Sequence, residues 1–90
     1  MKVTMNTKAM KTTEAMKAAV LDNLDKLNHY KNLIRAEVVM KAEKNNYITE
    51  ILLHGKKVHL YTKAKADDMY KAIRKAVTKM EHQLEHKLHY

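Results

Sequence analysis

AEVVMKAEKNNYITEILLHGKKVHLYTKAKA, residues 36–66, decides the fold class. Apolar and polar side chains alternate along it in successive runs, and alternation sends neighbouring side chains to opposite faces of a strand. Ala36, Val38, Met40 and Ala42 form one inward set, Thr49, Ile51 and Leu53 a second, and Val58, Leu60, Thr62 and Ala64 a third. Lys44-Asn45-Asn46 separates the first two runs, because asparagine tolerates left-handed backbone, and Gly55-Lys56-Lys57 makes the next tight turn. The pattern predicts three antiparallel strands joined by short hairpins, apolar on one face. The opposite face carries Val39, Lys41, Ile48, Glu50, Leu52, Tyr61 and Lys63, with His59 and Lys65 beside them. That set is mixed and solvated, with Val39, Ile48 and Leu52 as a small apolar patch.

Working outward, Lys2 to Asn6 alternates as well and reads as a short strand with Val3 and Met5 on one face. Thr12 or Thr13 offers an N-cap, and Glu14 sits in the first turn, where the helix dipole favours an acid. Met16, Ala19, Val20, Leu24 and Leu27 then recur at spacings of three and four, the stripe of an amphipathic helix ending near residues 28–31. Asp67 or Asp68 caps a second helix whose apolar stripe is Met69, Ile73, Ala76, Val77, Met80 and Leu84. The order is β-α-β-β-β-α. One apolar sheet face and two apolar helix stripes must bury one another, so the expected class is α+β, a two-layer sandwich with a four-stranded sheet covered on one face by two helices. Residues 1–90 read as a single domain.

The chain holds 18 Lys and Arg against 10 Asp and Glu, a net charge of +8. A small domain this basic is expected to meet polyanions, nucleic acid before an anionic membrane. It has no cysteine, which excludes disulfides, thiolate metal sites and a cysteine nucleophile. No stretch has the apolar run of a signal peptide or a membrane span, so a soluble, cytoplasmic protein is expected, with no membrane partner. Proline, phenylalanine and tryptophan are absent, glycine occurs once and methionine seven times. So narrow an alphabet opens a second reading, an engineered or simplified-alphabet chain that keeps a fold without its binding activity.

The second helix carries the chemistry. Lys71, Lys75, Lys79, His82, His86 and His89 recur along one face opposite the apolar stripe, with Arg74 beside them. A rigid row of cations suits a phosphate backbone, which basic side chains bind through charge and hydrogen bonds. Its competing reading is a solvated face. His82 and His86, at i and i+4, have the spacing of a metal pair. The third ligand is missing, however, and the sequence His-Gln-Leu-Glu-His is not that of a zinc hydrolase. No metal or cofactor is expected. His54 and His59 flank Gly55 and read as surface residues without a carboxylate neighbour. Nothing places a nucleophile beside a base or two carboxylates on one face, so the chain reads as a binding module, not an enzyme, with no small-molecule substrate. Few aromatics are available to stack splayed bases, which favours folded RNA held through its phosphates.

Several runs resemble one family. Asp67-Asp68-Met69-Tyr70-Lys71-Ala72-Ile73 and Lys79-Met80-Glu81-His82-Gln83-Leu84 carry the resemblance. Thr13-Glu14-Ala15-Met16-Lys17, Lys26-Leu27 and Ala42-Glu43-Lys44-Asn45 support it. Together they are similar to the ribosome hibernation-promoting factors, also called ribosome-associated inhibitor A or sigma-54 modulation proteins. The resemblance implies a stationary-phase stress factor that binds the small ribosomal subunit. It would occupy the channel of messenger and transfer RNA there, contact ribosomal RNA and block translation. It also implies RNA contacts at Lys26, Lys79, Gln83 and Lys87, which join Lys71, Arg74, Lys75, His82 and His86 from the cationic row. His82 stands where the family usually has arginine, Arg74 where an acid is common, and no phenylalanine accompanies Tyr30.

Overall fold

The computed structural model describes residues 1–88. Its elements are β1 (Lys2–Lys8), α1 (Glu14–Leu24), a 3-10 turn (Asp25–Leu27), β2 (Leu33–Glu43), β3 (Asn46–Gly55), β4 (Val58–Ala66) and α2 (Met69–Leu88). The strands lie in the order β1-β2-β3-β4 in one sheet. The two hairpins pair β2 with β3 and β3 with β4 antiparallel, with Ile51 opposite both Val38 and Thr62. β1 runs parallel to β2, Met5 opposite Val38. A parallel pair needs a crossover, and α1 supplies it.

The predicted α+β sandwich is the observed one. Ala36, Val38 and Met40, then Thr49, Ile51 and Leu53, then Val58, Thr62 and Ala64 are buried on one sheet face. Met16, Val20, Leu24 and Leu27 from α1 and its 3-10 turn close over them, with Met69, Ala72, Ile73, Ala76, Val77, Met80 and Leu84 from α2. The two inward threonines are satisfied by the layer they face. Thr62 Oγ donates to the Ala76 carbonyl at 3.0 Å, and Thr49 Oγ to the Met69 sulfur at 3.6 Å.

Local chemistry sets the boundaries. Thr13 caps α1, its hydroxyl oxygen accepting from the Met16 N–H at 3.1 Å. Asp68, not Asp67, caps α2, accepting from the Lys71 N–H at 3.0 Å. α1 ends earlier than its apolar stripe implies. The Asp25 carboxylate takes the Asn28 side-chain amide, and the Asp25 carbonyl takes the Asn28 N–H at 3.1 Å. Those bonds tighten the last turn to 3-10, a usual way to end a helix.

The turns depart from expectation. Each hairpin has a two-residue connection, Lys44-Asn45 and Lys56-Lys57. Left-handed backbone falls on Lys44 and Lys57, not on the asparagines or Gly55, and elsewhere on Ala9 and Asn32. Gly55 is a strand residue held for space. A Cβ there would lie 2.3 Å from the Asn32 carbonyl oxygen. Lys56 N–H donates to that same oxygen at 2.8 Å, tying the α1–β2 connection to the hairpin.

Candidate nucleic-acid interface

With α2's apolar stripe pressed on the sheet, the helix turns Lys71, Arg74, Lys75, Lys79, His82, Gln83, His86 and Lys87 outward, all exposed. They divide by what their head groups touch. Lys79 Nζ donates to the Lys63 carbonyl at 2.8 Å and Gln83 Nε2 to the Tyr61 carbonyl at 3.2 Å. Both carbonyls lie on β4, an edge strand, so these two side chains close part of an unpaired sheet edge. Lys71 pairs with Asp67 at 3.4 Å. Arg74, Lys75, His82, His86 and Lys87 make no ion pair among the described residues. The tie is testable. Lys79→Ala is expected to cost about 0.5–1 kcal/mol, the value of one exposed hydrogen bond, in urea denaturation.

Lys26, exposed on the 3-10 turn, stands apart from that row on another element. Both helices run back along the sheet towards the Gly55 hairpin, so Lys26 lies at the same end of the molecule as His82 to Lys87. The outer face of α1 is close to neutral, with Glu14 paired to Lys17 at 3.6 Å and Asp22 and Asp25 ahead of Lys26. His89 of the predicted row lies outside the described residues. No group of three or more histidines and acids among the described residues is placed to hold a metal, so no third ligand there joins His82 and His86.

The open sheet face is more cationic than the sequence pattern conveyed. Register aligns Lys8, Lys41, Ile48 and Lys65 across all four strands, and Asn6, Val39, Glu50 and Lys63 in the next row. Ile48, expected in a solvated patch, is only 4% exposed. Lysines flank it on both sides, and their aliphatic stems cover apolar surface while the ammonium groups stay in water. Lys2, Lys8 and Lys65 have no acid partner among the described residues. The signal for this second basic surface was the polar half of the strand alternation, spread over β1, β2 and β4.

Glu50 is the acid that organises this face. It takes the Lys41 ammonium at 2.8 Å and the Tyr61 hydroxyl at 2.9 Å. The Lys41 hydrogen bond, then that of Tyr61, holds the Glu50 carboxyl below its ordinary value of 4.5. The same bonds raise Lys41 above 10.5 and Tyr61 above 10.0. A depressed carboxyl stabilises the fold above its unfolded value and stops doing so as pH falls through the folded one. Raised lysine and tyrosine groups contribute below their unfolded values and lose that contribution as pH climbs through the folded ones. The triad is therefore strongest between about pH 5 and 9. Glu50→Gln is expected to cost about 1 kcal/mol at pH 7, and the difference should shrink as pH falls through the titration of the folded carboxyl, read as convergence of the two melting curves on acidification.

One correction concerns the second hairpin. His54 and His59 do face each other, with Nδ1 atoms 3.3 Å apart, and they do have a carboxylate neighbour. Glu37 Oε2 lies 3.0 Å from His54 Nε2 and 3.6 Å from Arg35 Nε. The sequence gives no sign of this contact, because it is set by which residues of β2 and β3 fall side by side.

No helix among the described residues is long and apolar enough to cross a membrane. Two solved structures share the arrangement closely. The Thermus thermophilus Protein Y N-terminal domain superposes with a TM-score of 0.90 at 22% identity, over 97% of this chain and 99% of that one. A ribosomal subunit interface protein from Coxiella burnetii gives 0.89 at 18% identity, over 97% of each chain. At such identities the likeness establishes the fold. Descent is carried by the sequence: the family model described as sigma 54 modulation protein / S30EA ribosomal protein matches residues 3–89. With nearly its whole length matched, the chain belongs to the sigma 54 modulation protein / S30EA ribosomal protein family.

Proposed function

We propose that the protein is a ribosome hibernation factor. It binds the small subunit through ribosomal RNA, sits in the channel of messenger and transfer RNA, and blocks translation by occupying it. The family is named for a ribosomal protein, and the structurally similar Coxiella protein is a ribosomal subunit interface protein. The observation that carries the reading is the set of side chains on α2 without an ion pair among the described residues, the cations Arg74, Lys75 and Lys87 with the imidazoles of His82 and His86, aimed away from the core. Lys71 and Lys26 extend that surface. Lys79 and Gln83 contribute less, since their head groups already serve β4. Lys2, Lys8 and Lys65 place charge on the opposite side of the molecule. A body basic on both sides suits a cleft walled by phosphates better than a single flat duplex surface, and its contacts need read no bases. Catalysis has no part in this mechanism.

Co-sedimentation with bacterial small subunits through sucrose tests it. Stoichiometric binding that weakens steeply from low to moderate salt and is displaced by transfer RNA is the expected result. A protein that melts cooperatively and stays at the top of the gradient at low salt would refute it.

A further inference from the structure

We propose that the open sheet face is a platform for single-stranded RNA, with Tyr61 stacking on an unpaired base and Lys8, Lys63 and Lys65 holding phosphates beside it. It is a second site, on the side of the molecule opposite α2, and it takes base faces where α2 takes phosphates alone. Only the choice of RNA over DNA rests on the ribosome-binding reading.

Tyr61 lies on the open face of β4 and keeps 46% of its surface exposed. Its hydroxyl donates to Glu50 on β3 at 2.9 Å. Glu50 stands diagonally from it, since Tyr61 is opposite Leu52 and Lys63 is opposite Glu50. A hydroxyl that reaches the next strand requires a ring leaning across the sheet, which turns a face of it to solvent. The bond holds the ring before any ligand arrives, so less side-chain freedom is lost on binding. Every base has a π-face, so a fixed, exposed ring stacks on any of them.

The surroundings suit a strand of nucleotides. His59, Tyr61, Lys63 and Lys65 follow one another along the outward side of β4, all exposed. Same-face residues of a strand are spaced ~6.6–6.8 Å, comparable with the nucleotide repeat of an extended single strand. His59 offers a second ring, of a kind that also stacks on bases. Leu52, 39% exposed, adds apolar surface beside Tyr61.

Charge decides the occupant. Glu37 already contacts Arg35 and His54, and Glu50 already holds Lys41. Glu43, at the far end of β2, is the acid of this face without an ion pair among the described residues. Lys8, Lys63 and Lys65 likewise make none there. An apolar protein partner would bury those ammonium groups unpaired, at a heavy cost. A phosphate backbone pairs them while a base covers the ring and Leu52. A duplex hides its base faces, so the fit is to an unpaired strand.

Titration of the whole chain with an oligouridylate, without ribosomes, tests the site. The chain has no tryptophan, so tyrosine emission reports the ring. The expected result is saturable binding with quenched tyrosine emission and shifted Tyr61 ring resonances. Tyr61→Leu keeps an apolar side chain without the ring and is expected to weaken binding about tenfold. Tyr61→Phe keeps the ring without the hydroxyl and should stay within about threefold of the parent. Arg74→Glu/Lys75→Glu should leave the ratio of parent to Tyr61→Leu unchanged, and duplex RNA should bind both alike. Melting curves verify that each variant is folded. No oligouridylate binding at low salt, full affinity in Tyr61→Leu, an equal loss in Tyr61→Phe, or an equal loss of duplex binding would each overturn the proposal. Co-sedimentation with small subunits is a separate readout, so failure of this site and failure of ribosome binding are told apart.

Discussion

Replacing Gly55 with alanine is expected to lower stability by about 3 kcal/mol, a fall in melting temperature of roughly 15 °C. The new methyl group would sit 2.3 Å from the Asn32 carbonyl oxygen and 3.2 Å from both the Asn32 carbonyl carbon and the Leu33 Cα. All three are backbone atoms, so no side chain can swing away. The oxygen is also held from the other side by Lys56 N–H at 2.8 Å. Relief requires parting the α1–β2 connection from the hairpin, which breaks that bond and disturbs the Leu33–Gly55 pairing. Lys57→Gly, two positions on, should act in the opposite sense. Lys57 holds φ 64, a left-handed conformation that costs a side chain about 1 kcal/mol and glycine almost nothing. Thermal melts of the two variants beside the parent decide the matter. A melting temperature within a few degrees of the parent for Gly55→Ala would contradict the close approach.

Arg74→Glu/Lys75→Glu is expected to weaken small-subunit binding roughly a hundredfold and to flatten its salt dependence by about two units of logarithmic slope. Both side chains are exposed and without ion pairs among the described residues, so the fold has no stake in them. Melting should stay within about 2 °C of the parent, a surface substitution being worth about 0.5 kcal/mol or less. The companion variant Lys8→Glu/Lys65→Glu changes the open sheet face by the same charge. If it abolishes binding while the helix variant does not, the sheet face carries the contact. If neither alters affinity or salt slope, the ribosomal RNA reading falls.

How far the sequence could be read follows from the range of the forces involved. Strand alternation between residues 36 and 66 and the helix stripe from Met69 to Leu84 are local periodicities, imposed by which side must be buried, and the structure follows them closely, with Ile48 buried on the open face and Ala42 and Leu60 half-buried on the inner one. The parallel docking of β1 on β2 has no local signature, since Lys2 meets Arg35 across a helix. The turns misled for a related reason. Composition assigns left-handed backbone to asparagine and glycine, yet hairpin closure imposed it on Lys44 and Lys57. The chain's one glycine answers a tertiary demand, room for Asn32, that nothing beside it in sequence foretells. The cationic row on α2 was legible from spacing alone. That Lys79 and Gln83 bend towards β4 was not, because their targets are carbonyls sixteen and twenty-two residues earlier.

Those two side chains also bear on how copies of the protein treat one another. Net positive charge keeps free copies apart in solution, but a polyanion neutralises that repulsion and gathers its ligands at high local concentration. Crowded in this way, a bare strand edge would invite one copy to zip onto the next. On β4 the helix that follows the strand covers part of its edge from within the same chain. On the far edge, β1 sets Lys2 and Lys8 at its two ends, where like charges meet if two such strands approach. Gathered on RNA, as proposed above, the molecule can thus remain a single copy there, because each of its sheet's borders discourages a second.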